Sequence, residues 1–515
     1  MTKTNVLFVT LDQWRADHLA ATGNKTIQTP TMDALCADGI AFRNHFTCIA
    51  PCGPSRTTFL TGMYPSNHRS IRNGTPLNHS LTNLALEARH DGYDPTLWGY
   101  TDTTPDPRVL GEDHEAFLTY EGVMPGFTVG QQLAENSIPW LDYLADKGYD
   151  IPGPGYAIYF PDPDYKLPPG RHPLFAPSRF KAEDSETHWL ADQLIRNLKS
   201  KPTDPFFHHL TFLRPHPPFI SPPEYHDLYD PAEMPPPVRD GSPDEMREKH
   251  PSLALMYQAI PQDAFFMEGE GRAVDLEEAA VAQLRATYKS LITEADHNLG
   301  RVIATLKEQG QYDETMIVVT SDHGEQLGDH YLWGKIGFYD ESFHIPLIIK
   351  PPKSWNVTTG REVSEFTESV DLMPTILDGL NLPVPRQCDG HSLMPFLKGE
   401  TPADWRRAVH WLYDFRDPVA QMPETVLNIK SSECNLLVHR DAEFKYVHFA
   451  ALPPLLFDMK NDPDETRNLA EDPDYQGVVL DCVQELLSWR MRYEYGELVN
   501  LSASDKGLVG HRMSR

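Results

Sequence analysis

Cysteine is scarce in this chain of 515 residues. This scarcity excludes a small fold held together by a dense disulfide framework, and we expect most of the thiols to be reduced in a cytosolic protein. Long apolar runs are also missing. The run at residues 6–9 is too short for a signal peptide, and no stretch approaches the roughly 18–20 apolar residues that cross a bilayer. We therefore expect a cytoplasmic protein without a membrane partner. The six cysteines are Cys36, Cys48, Cys52, Cys388, Cys434 and Cys482.

Basic residues are outnumbered, because 45 Lys and Arg stand against 74 Asp and Glu, and the formal net charge is -29. Such a surface repels nucleic-acid phosphates and anionic lipids, so we expect neither as a partner. An anionic substrate would require a locally positive pocket, built from a metal ion and a few placed cations. The length predicts one large α/β domain with a smaller one appended, rather than one compact core.

Several β-rich apolar runs stop abruptly at polar residues. Apolar strands buried on both faces indicate a mostly parallel sheet covered by helices, and residues 276–308 have the periodicity of one such helix. Because ligands bind beyond the carboxyl ends of strands in open α/β sheets, we expect Asp12, His216 and the Asp322-His323 pair to reach one rim. The strand-like runs are residues 6–11, 206–213, 316–320 and 345–349.

Two segments rich in Pro, Gly, Asp and Tyr, residues 150–180 and 214–262, have little periodicity. We interpret them as surface excursions that wall a pocket. Beyond about residue 400 the pattern changes to short strands followed by an amphipathic helix. The sequence thus predicts a catalytic domain at residues 1–400. It also predicts a small α+β subdomain at residues 401–515, which ends in that helix and a tail available for subunit contact.

The most informative stretch runs from Cys52 to Gly62 and reads Cys-Gly-Pro-Ser-Arg-Thr-Thr-Phe-Leu-Thr-Gly. It places a thiol just before a predicted helix start, where backbone amides favour an anion. A helix-capping turn with a buried cysteine is the alternative. The string resembles the Cys-x-Pro-Ser-Arg motif of type I sulfatases and their trailing Leu-Thr-Gly.

This resemblance implies that a formylglycine-generating enzyme oxidises Cys52 to formylglycine (3-oxoalanine), whose hydrate supplies a hydroxyl nucleophile. It also implies that Arg56 steadies this group and the carboxylates of the metal site. The implied fold is an alkaline-phosphatase-like sandwich, with a large, mostly parallel central sheet covered by helices and a small C-terminal subdomain.

Asp12 and the Asp322-His323 pair form a second group. Carboxylate oxygens suit a hard divalent cation, and an imidazole admits manganese as well as calcium, although strand-end turns also favour Asp and His. The run from Thr320 to Glu325 resembles the metal segment of the alkaline phosphatase superfamily. Many sulfatases have a second Asp where Gln13 stands and an Asn where His323 stands. These departures resemble phosphonate monoester hydrolases and choline sulfatases, and they imply that Asp12, modified Cys52, Asp322 and His323 bind one Ca²⁺ or Mn²⁺. Gln13 would then contact the substrate or the metal edge.

Further positions match residues that the family uses. Lys335 stands where these enzymes place a lysine on the substrate oxygens or the leaving group, and His216 resembles the strand-end histidine that assists the leaving group. The alternatives are that Lys335 is an ordinary solvent-exposed lysine and that His216 is a loop histidine without a catalytic role. Asn73 and Tyr100 resemble substrate contacts of phosphonate monoester hydrolases, although Asn-Gly is also a common turn. Asp102 departs from that family; it would disfavour extra negative charge, attract a cationic group or cap a loop.

The resemblance runs from about residue 4 to residue 470, where the segment from Leu456 to Leu469 matches a structural turn of sulfatases. It implies metal-dependent hydrolysis of sulfate esters, of the arylsulfatase type, with promiscuity toward phosphonate monoesters and phosphodiesters. One alternative is an enzyme that acts primarily on phosphonate monoesters or phosphodiesters, and another is an inert binding protein on the same fold. Relatives with this C-terminal extension imply a homo-dimer or homo-tetramer.

Overall fold

The structure is a computed structural model that describes residues 3–134, 136–201, 205–494, 496 and 498–510. The chain divides into two compact units. The first comprises Met1–Arg43, Asp94–Tyr100 and Thr128–Ser364, and the second comprises Asn44–Tyr93, Thr101–Phe127 and Glu365–Arg515. Within the described ranges, none of the helices combines the length and the apolar character needed to span a membrane.

The largest sheet of the described residues has eight strands in the order β4-β3-β5-β1-β6-β7-β2-β8. Strand pairs are parallel from β4 through β6, whereas β7 pairs antiparallel with both β6 and β2. The large, mostly parallel sheet is therefore confirmed. The strands are β1 (Asn5–Leu11), β2 (Ile40–Phe46), β3 (Pro95–Gly99), β4 (Thr128–Gln132), β5 (Phe207–Phe212), β6 (Thr315–Ser321), β7 (Leu347–Lys350) and β8 (Arg361–Glu368).

Every residue of β1, β5 and β6 is buried, as expected for strands covered on both faces. The predicted helix at residues 276–308 is confirmed as Glu278–Glu308, and its apolar positions join the strands in one core cluster. Helices in the first unit are α1 (Pro30–Asp38), α6 (Ile138–Asp146), α7 (Glu186–Ser200), α8 (Pro243–Lys249), α9 (Pro251–Ala259), α10 (Glu278–Glu308) and α11 (Asp340–Phe343).

Strands β5, β1 and β6 are parallel neighbours and end together. Leu11 pairs with Phe212 on one side and with Ser321 on the other. The next residues along β1 and β6 are Asp12 and Asp322, and the turn after β5 leads to His216. The predicted convergence of three strand ends at one rim is therefore confirmed.

The second unit contains a four-stranded antiparallel sheet in the order β12-β11-β10-β9, against which helix α15 packs through Leu486 and Trp489. The expected small α+β element is confirmed, and the domain boundary at residue 400 stays a prediction. The remaining strands are β9 (Ala408–Asp414), β10 (Asn435–Asp441), β11 (Phe444–Phe449), β12 (Leu455–Asp458) and a separate hairpin, β13 (Leu501–Ser504) with β14 (Gly507–Gly510). The remaining helices are α2 (Cys52–Thr61), α3 (Pro65–His68), α4 (Leu84–His90), α5 (Pro107–Leu110), α12 (Leu372–Gly379), α13 (Met394–Leu397), α14 (Met422–Leu427) and α15 (Gln476–Arg492).

Candidate active site

Asp12 follows the last residue of β1 and is buried. Its Oδ2 accepts a hydrogen bond from the hydroxyl of Tyr100, at 2.6 Å. Tyr100 follows β3, so a second strand end supports this carboxylate. The predicted contact of Tyr100 with substrate stays a prediction. What the structure shows is a tyrosine that fixes one oxygen of Asp12.

Asp322 and His323 follow β6 and are fully buried. Oδ1 of Asp322 accepts hydrogen bonds from the backbone amides of Gln13, at 3.1 Å, and His323, at 3.0 Å. Nδ1 of His323 lies 3.1 Å from the carbonyl oxygen of Gly324. A carbonyl only accepts, so Nδ1 carries the proton and the lone pair is on Nε2. This nitrogen lies 3.7 Å from Oδ1 of Asp12 and 3.6 Å from Oδ1 of Asp322.

These three side chains fit a divalent cation. Each offers one ligand atom, and the atoms lie within 4.8 Å of one another. Burial lowers the pKa of His323 to about 4, with a further lowering by Lys335, although both carboxylates oppose it. The imidazole is therefore neutral near pH 7, which is the form that binds metals. Two buried carboxylates and a neutral imidazole leave a negative charge that a dication would balance.

Gln13 connects this group to Lys335. Its backbone φ is +71°, a left-handed conformation that is strained for a glutamine, and such strain often marks a functional position. The side-chain Oε1 accepts a hydrogen bond from Nζ of Lys335 at 3.0 Å, and Nε2 donates to Oε2 of Glu325. The backbone carbonyl accepts from the hydroxyl of Tyr288 at 2.7 Å. With its backbone amide, which donates to Asp322, Gln13 is thus held at four points.

Glu325 also belongs to this site, although no sequence motif predicts a specific role for it. It is fully buried, and its Oε1 accepts from the backbone amides of Leu327, at 3.0 Å, and Gly334, at 2.6 Å. Since Gly334 directly precedes Lys335, one carboxylate holds both the lysine loop and the amide of Gln13. The sequence feature that indicates a role for Glu325 is its place at the end of the run from Asp322 to Glu325.

His216 is half-buried in the turn after β5. Its Nδ1 donates to the carbonyl oxygen of Pro217, at 2.7 Å, and Nε2 therefore carries the lone pair. Burial holds the pKa of His216 well below its usual value, and the charge of Lys335 lowers it further, while Asp322 raises it. The imidazole is therefore neutral near pH 7 in the absence of substrate.

Cys52 is the first residue of helix α2 in the second unit and is 4% exposed. The helix is buried along its whole length, and Gly62 ends it in a left-handed conformation with its amide bonded to the carbonyl of Thr58. The predicted helix is confirmed, and its first residue is Cys52 itself rather than the residue after it. Arg56, one turn further along, is completely buried, so its charge is presented to the interior rather than to solvent.

Asn73 and Asp102 meet this helix start within the second unit. The amide of Gly53 donates to Oδ1 of Asn73 at 2.9 Å, and Nε of Arg56 lies 3.8 Å from Oδ2 of Asp102. A Cβ on Gly53 would meet the carbonyl oxygen of Asp102 at 2.8 Å, so the close approach requires glycine. The carboxylate of Asp102 therefore compensates the buried positive charge of Arg56.

The structure thus groups the predicted site residues in two sets. In the first unit, hydrogen bonds and close polar contacts join Asp12, Gln13, Tyr100, Asp322, His323 and Lys335, and His216 lies within electrostatic range of this set. In the second unit, Cys52 opens the helix that also presents Arg56, and Asn73 and Asp102 contact that helix. The catalytic, substrate and metal roles assigned to these residues stay predictions.

Comparison with known proteins agrees with this arrangement. The sulfatase family profile matches residues 4–382, and the profile described as N-sulphoglucosamine sulphohydrolase, C-terminal, matches residues 328–492. The chain is 43% identical to the multifunctional alkaline phosphatase superfamily protein PehA of Trinickia caryophylli, over 99% of each chain. It is 26% identical to an arylsulfatase of Clostridium perfringens, over 92% of each.

A solved structure extends the similarity to three dimensions. The phosphonate monoester hydrolase of Agrobacterium radiobacter is 42% identical and superposes with a TM-score of 0.94, covering 99% of this chain and 100% of that one. The family match covers well over half of the sequence. The chain therefore belongs to the sulfatase family.

Proposed function

We propose that this protein hydrolyses sulfate esters as an arylsulfatase does, with promiscuity toward phosphonate monoesters and phosphodiesters. The reaction would use a formylglycine made from Cys52, with one divalent metal ion as cofactor. The observation that carries the proposal is the buried group of Asp12, Asp322 and His323 at the ends of β1 and β6, with Lys335 connected to it through Gln13. The motif that begins at Cys52 supports the modification, because it matches the family pattern for that conversion.

The metal ligands we propose are Asp12, Asp322, His323 and the modified residue 52. The donor set suits Ca²⁺ or Mn²⁺, since it is rich in oxygen and includes one imidazole. Such an ion would neutralise charge on the transferring group and lower the pKa of a nearby hydroxyl. The hydrate of an aldehyde at position 52 would supply the hydroxyl nucleophile that a thiol side chain lacks.

The remaining side chains bind the ester and manage charge and protons. Lys335 and Arg56 neutralise the oxygens of the transferring group. Near pH 7 the imidazole of His216 is neutral, but a bound ester anion would oppose the charge of Lys335 and favour protonation at Nε2. His216 then delivers this proton to the leaving oxygen, with Lys335 beside it. Gln13, Asn73, Tyr100 and Asp102 are the proposed substrate-binding residues.

The second candidate is an enzyme that acts mainly on phosphonate monoesters or phosphodiesters. It is favoured by the 43% and 42% identity to a multifunctional superfamily protein and to a phosphonate monoester hydrolase, against 26% to an arylsulfatase. The two candidates separate by the ratio of kcat/KM values for phenyl sulfate, phenyl phenylphosphonate and diphenyl phosphate. A dominant sulfate rate would support the arylsulfatase assignment, and a dominant phosphonate or diester rate would support the second candidate.

The decisive test of the chemistry is the pair of variants Cys52→Ala and Cys36→Ala. Cys36 is half-buried and lies outside the proposed site, so its variant controls for loss of a thiol. We expect Cys52→Ala to lose turnover and Cys36→Ala to keep it. Peptide mass analysis of active protein should show an aldehyde at position 52. Full activity in Cys52→Ala, or an unmodified thiol in active protein, would contradict the formylglycine route and favour another mechanism. An unmodified thiol in protein without turnover would favour the inert binding protein.

We propose further that a formylglycine-generating enzyme matures the protein and that it acts in the cytoplasm. The six free cysteines are consistent with a reducing compartment. We also propose a homo-dimer or homo-tetramer, because α15 exposes Leu480, Leu487 and Met491 on one face. Light scattering on wild type and Leu487→Glu tests this, since a charge on that face should weaken the assembly. A monomeric wild type would contradict it.

A further inference from the structure

Arg214 is a buried cation that the proposed chemistry does not use. It lies in the turn that follows β5, two residues before His216, and is 1% exposed. Burial of a guanidinium is costly unless each of its donors finds a partner. The partners of Arg214 therefore indicate what it holds in place.

The first partners are two backbone carbonyls of the histidine turn. Nη1 of Arg214 donates to the carbonyl oxygen of His216 at 2.8 Å and to that of Pro218 at 2.9 Å. The carbonyl between them, that of Pro217, accepts the Nδ1 proton of His216. One guanidinium thus fixes the peptide groups on both sides of the carbonyl that sets the histidine tautomer.

The second partner is a buried carboxylate. Nε of Arg214 lies 2.5 Å from Oε1 of Glu186, the first residue of α7, and both side chains are at most 2% exposed. The guanidinium also lies over the ring of Tyr159, 4.7 Å from its centroid. The planar guanidinium of Arg214 is therefore held by helix α7 and by an aromatic ring as well as by the turn. A lysine could supply the same charge as this guanidinium but not its planar arrangement of donors.

We propose that Arg214, locked by Glu186, is a positioning residue for His216. It holds the turn of residues 214–218 so that the Pro217 carbonyl keeps the Nδ1 proton and Nε2 remains directed at the leaving oxygen. This inference rests on the proposed function, in which His216 assists the leaving group. Arg214 acts only through the turn and does not itself contact the ester or the reacting atoms.

The test compares Arg214→Lys with Arg301→Lys, using phenyl and 4-nitrophenyl esters of one acid. Arg301 is a matched control, because it pairs with Asp192 of the same helix α7 and donates to the carbonyl of His188. Phenoxide is the poorer leaving group and needs the proton more. We expect Arg214→Lys to lower kcat for the phenyl ester by about 10- to 100-fold, with little change in KM and a much smaller loss on the nitrophenyl ester. Arg301→Lys should leave the ratio of the two rates unchanged.

Two further measurements separate positioning from a general loss of structure. The double variant Arg214→Lys/His216→Ala should be no slower on the phenyl ester than His216→Ala alone, because both changes remove the same assistance. Spectra of ¹⁵N-labelled histidine, assigned with His216→Ala, should show the Nδ1-protonated form in wild type and a mixture in Arg214→Lys. Additive losses, or equal losses on both esters with an unchanged tautomer, would overturn the inference.

The same series distinguishes failure of the inference from failure of the proposed function. If His216→Ala leaves the ratio of phenyl to nitrophenyl rates unchanged, the proposed role of His216 is wrong and the inference falls with it. If His216→Ala changes that ratio and Arg214→Lys does not, only the inference is wrong.

Discussion

The hydroxyl of Tyr100 donates a hydrogen bond to Oδ2 of Asp12 at 2.6 Å. Outer-sphere donors of this kind orient a carboxylate before a metal arrives, and their loss typically weakens metal affinity by about 10- to 100-fold. The proposed ligand Asp12 thus depends on a tyrosine that lies 88 residues away along the chain.

We therefore expect Tyr100→Phe to need more Ca²⁺ or Mn²⁺ than wild type for half-maximal activity, by about tenfold or more. The measurement is reactivation of chelator-treated enzyme by titrated metal. Tyr64→Phe is the control, since the Tyr64 hydroxyl donates to the buried carboxylate of Glu368 in the second unit, at 2.5 Å. It should lower stability without changing the metal requirement. An unchanged requirement in Tyr100→Phe would show that Asp12 needs no such support.

The sequence was sufficient for the main strands and for the rim they share. Apolar runs that stop at Asp12 and Ser321 predicted the carboxyl ends of β1 and β6 to within one residue. A strand that is buried on both faces is apolar along almost its whole length, so the first polar residue marks its end. The helix that starts at Cys52 followed from its motif. These features are local, so a single sequence displays them.

Roles that depend on distant contacts were not predictable. Glu325 holds Gln13 across 312 positions of the chain, and no periodicity reveals such a pair. The excursion at residues 214–262 was expected to be irregular surface, yet it contains α8 and α9 and buries His250 and Leu253. A signal was present there, because Ser242 and Glu245 form a capping box at the start of α8. The surrounding prolines concealed it.

Glu325 should control activity through Gln13. In Glu325→Gln, the new amide would place a donor against Nε2 of Gln13, so one of the two amides must turn. In wild type, Oε1 of Gln13 accepts the hydrogen bond from Nζ of Lys335. If the Gln13 amide turned, its Nε2 would face Nζ instead, and two donors would meet with no acceptor between them. We expect kcat/KM to fall by about 10- to 100-fold, as for other supporting residues of metal sites.

Steady-state kinetics of Glu325→Gln, Gln13→Ala and the double variant test this coupling. If Glu325 acts through Gln13, the double variant should be close to the worse of the two single variants. Losses that simply multiply would mean that Glu325 acts elsewhere, through the loop at Gly334 for example.

Lys335 should set the protonation of His216. Burial is the main cause of the lowered pKa of His216, and the positive charge of Lys335 is the next. A nearby cation disfavours the imidazolium, so removing it in Lys335→Met should raise the pKa of His216. At any pH near the midpoint, a larger fraction of the histidine would then be protonated. Histidine NMR titration, assigned with His216→Ala, measures this shift.

The control is Lys353→Met, which removes an exposed lysine paired with Asp313. Its His216 midpoint should match that of wild type. A midpoint that stays in place or moves to lower pH in Lys335→Met would contradict the electrostatic link between the two residues. The same result would weaken the proposal that bound ester and Lys335 compete to set the charge on His216.

Glu294 should make the protein less stable as the pH rises. Burial raises the pKa of this carboxyl in α10 to about 8, and the neighbouring Glu186 adds to the rise, against an ordinary value of 4.5. Between these two values the unfolded chain has released the proton that the folded chain still holds. The unfolded state therefore binds fewer protons, and this group costs stability progressively from about pH 4.5 to about pH 8.

Glu294→Gln removes the ionisation while keeping the size of the side chain. We expect the variant to gain stability relative to wild type as the pH rises, by about 1–3 kcal/mol at pH 8 and by little at pH 5. Chemical unfolding at a series of pH values measures the difference in the free energy of unfolding between the variant and wild type. Glu308→Gln is the control for loss of a charge, because Glu308 is exposed at the end of the same helix. The positive charge of Arg214 lowers the pKa of Glu294 and opposes the effect of burial. A stability difference that shrinks with rising pH would mean that this charge prevails and that Glu294 is ionised in the folded protein.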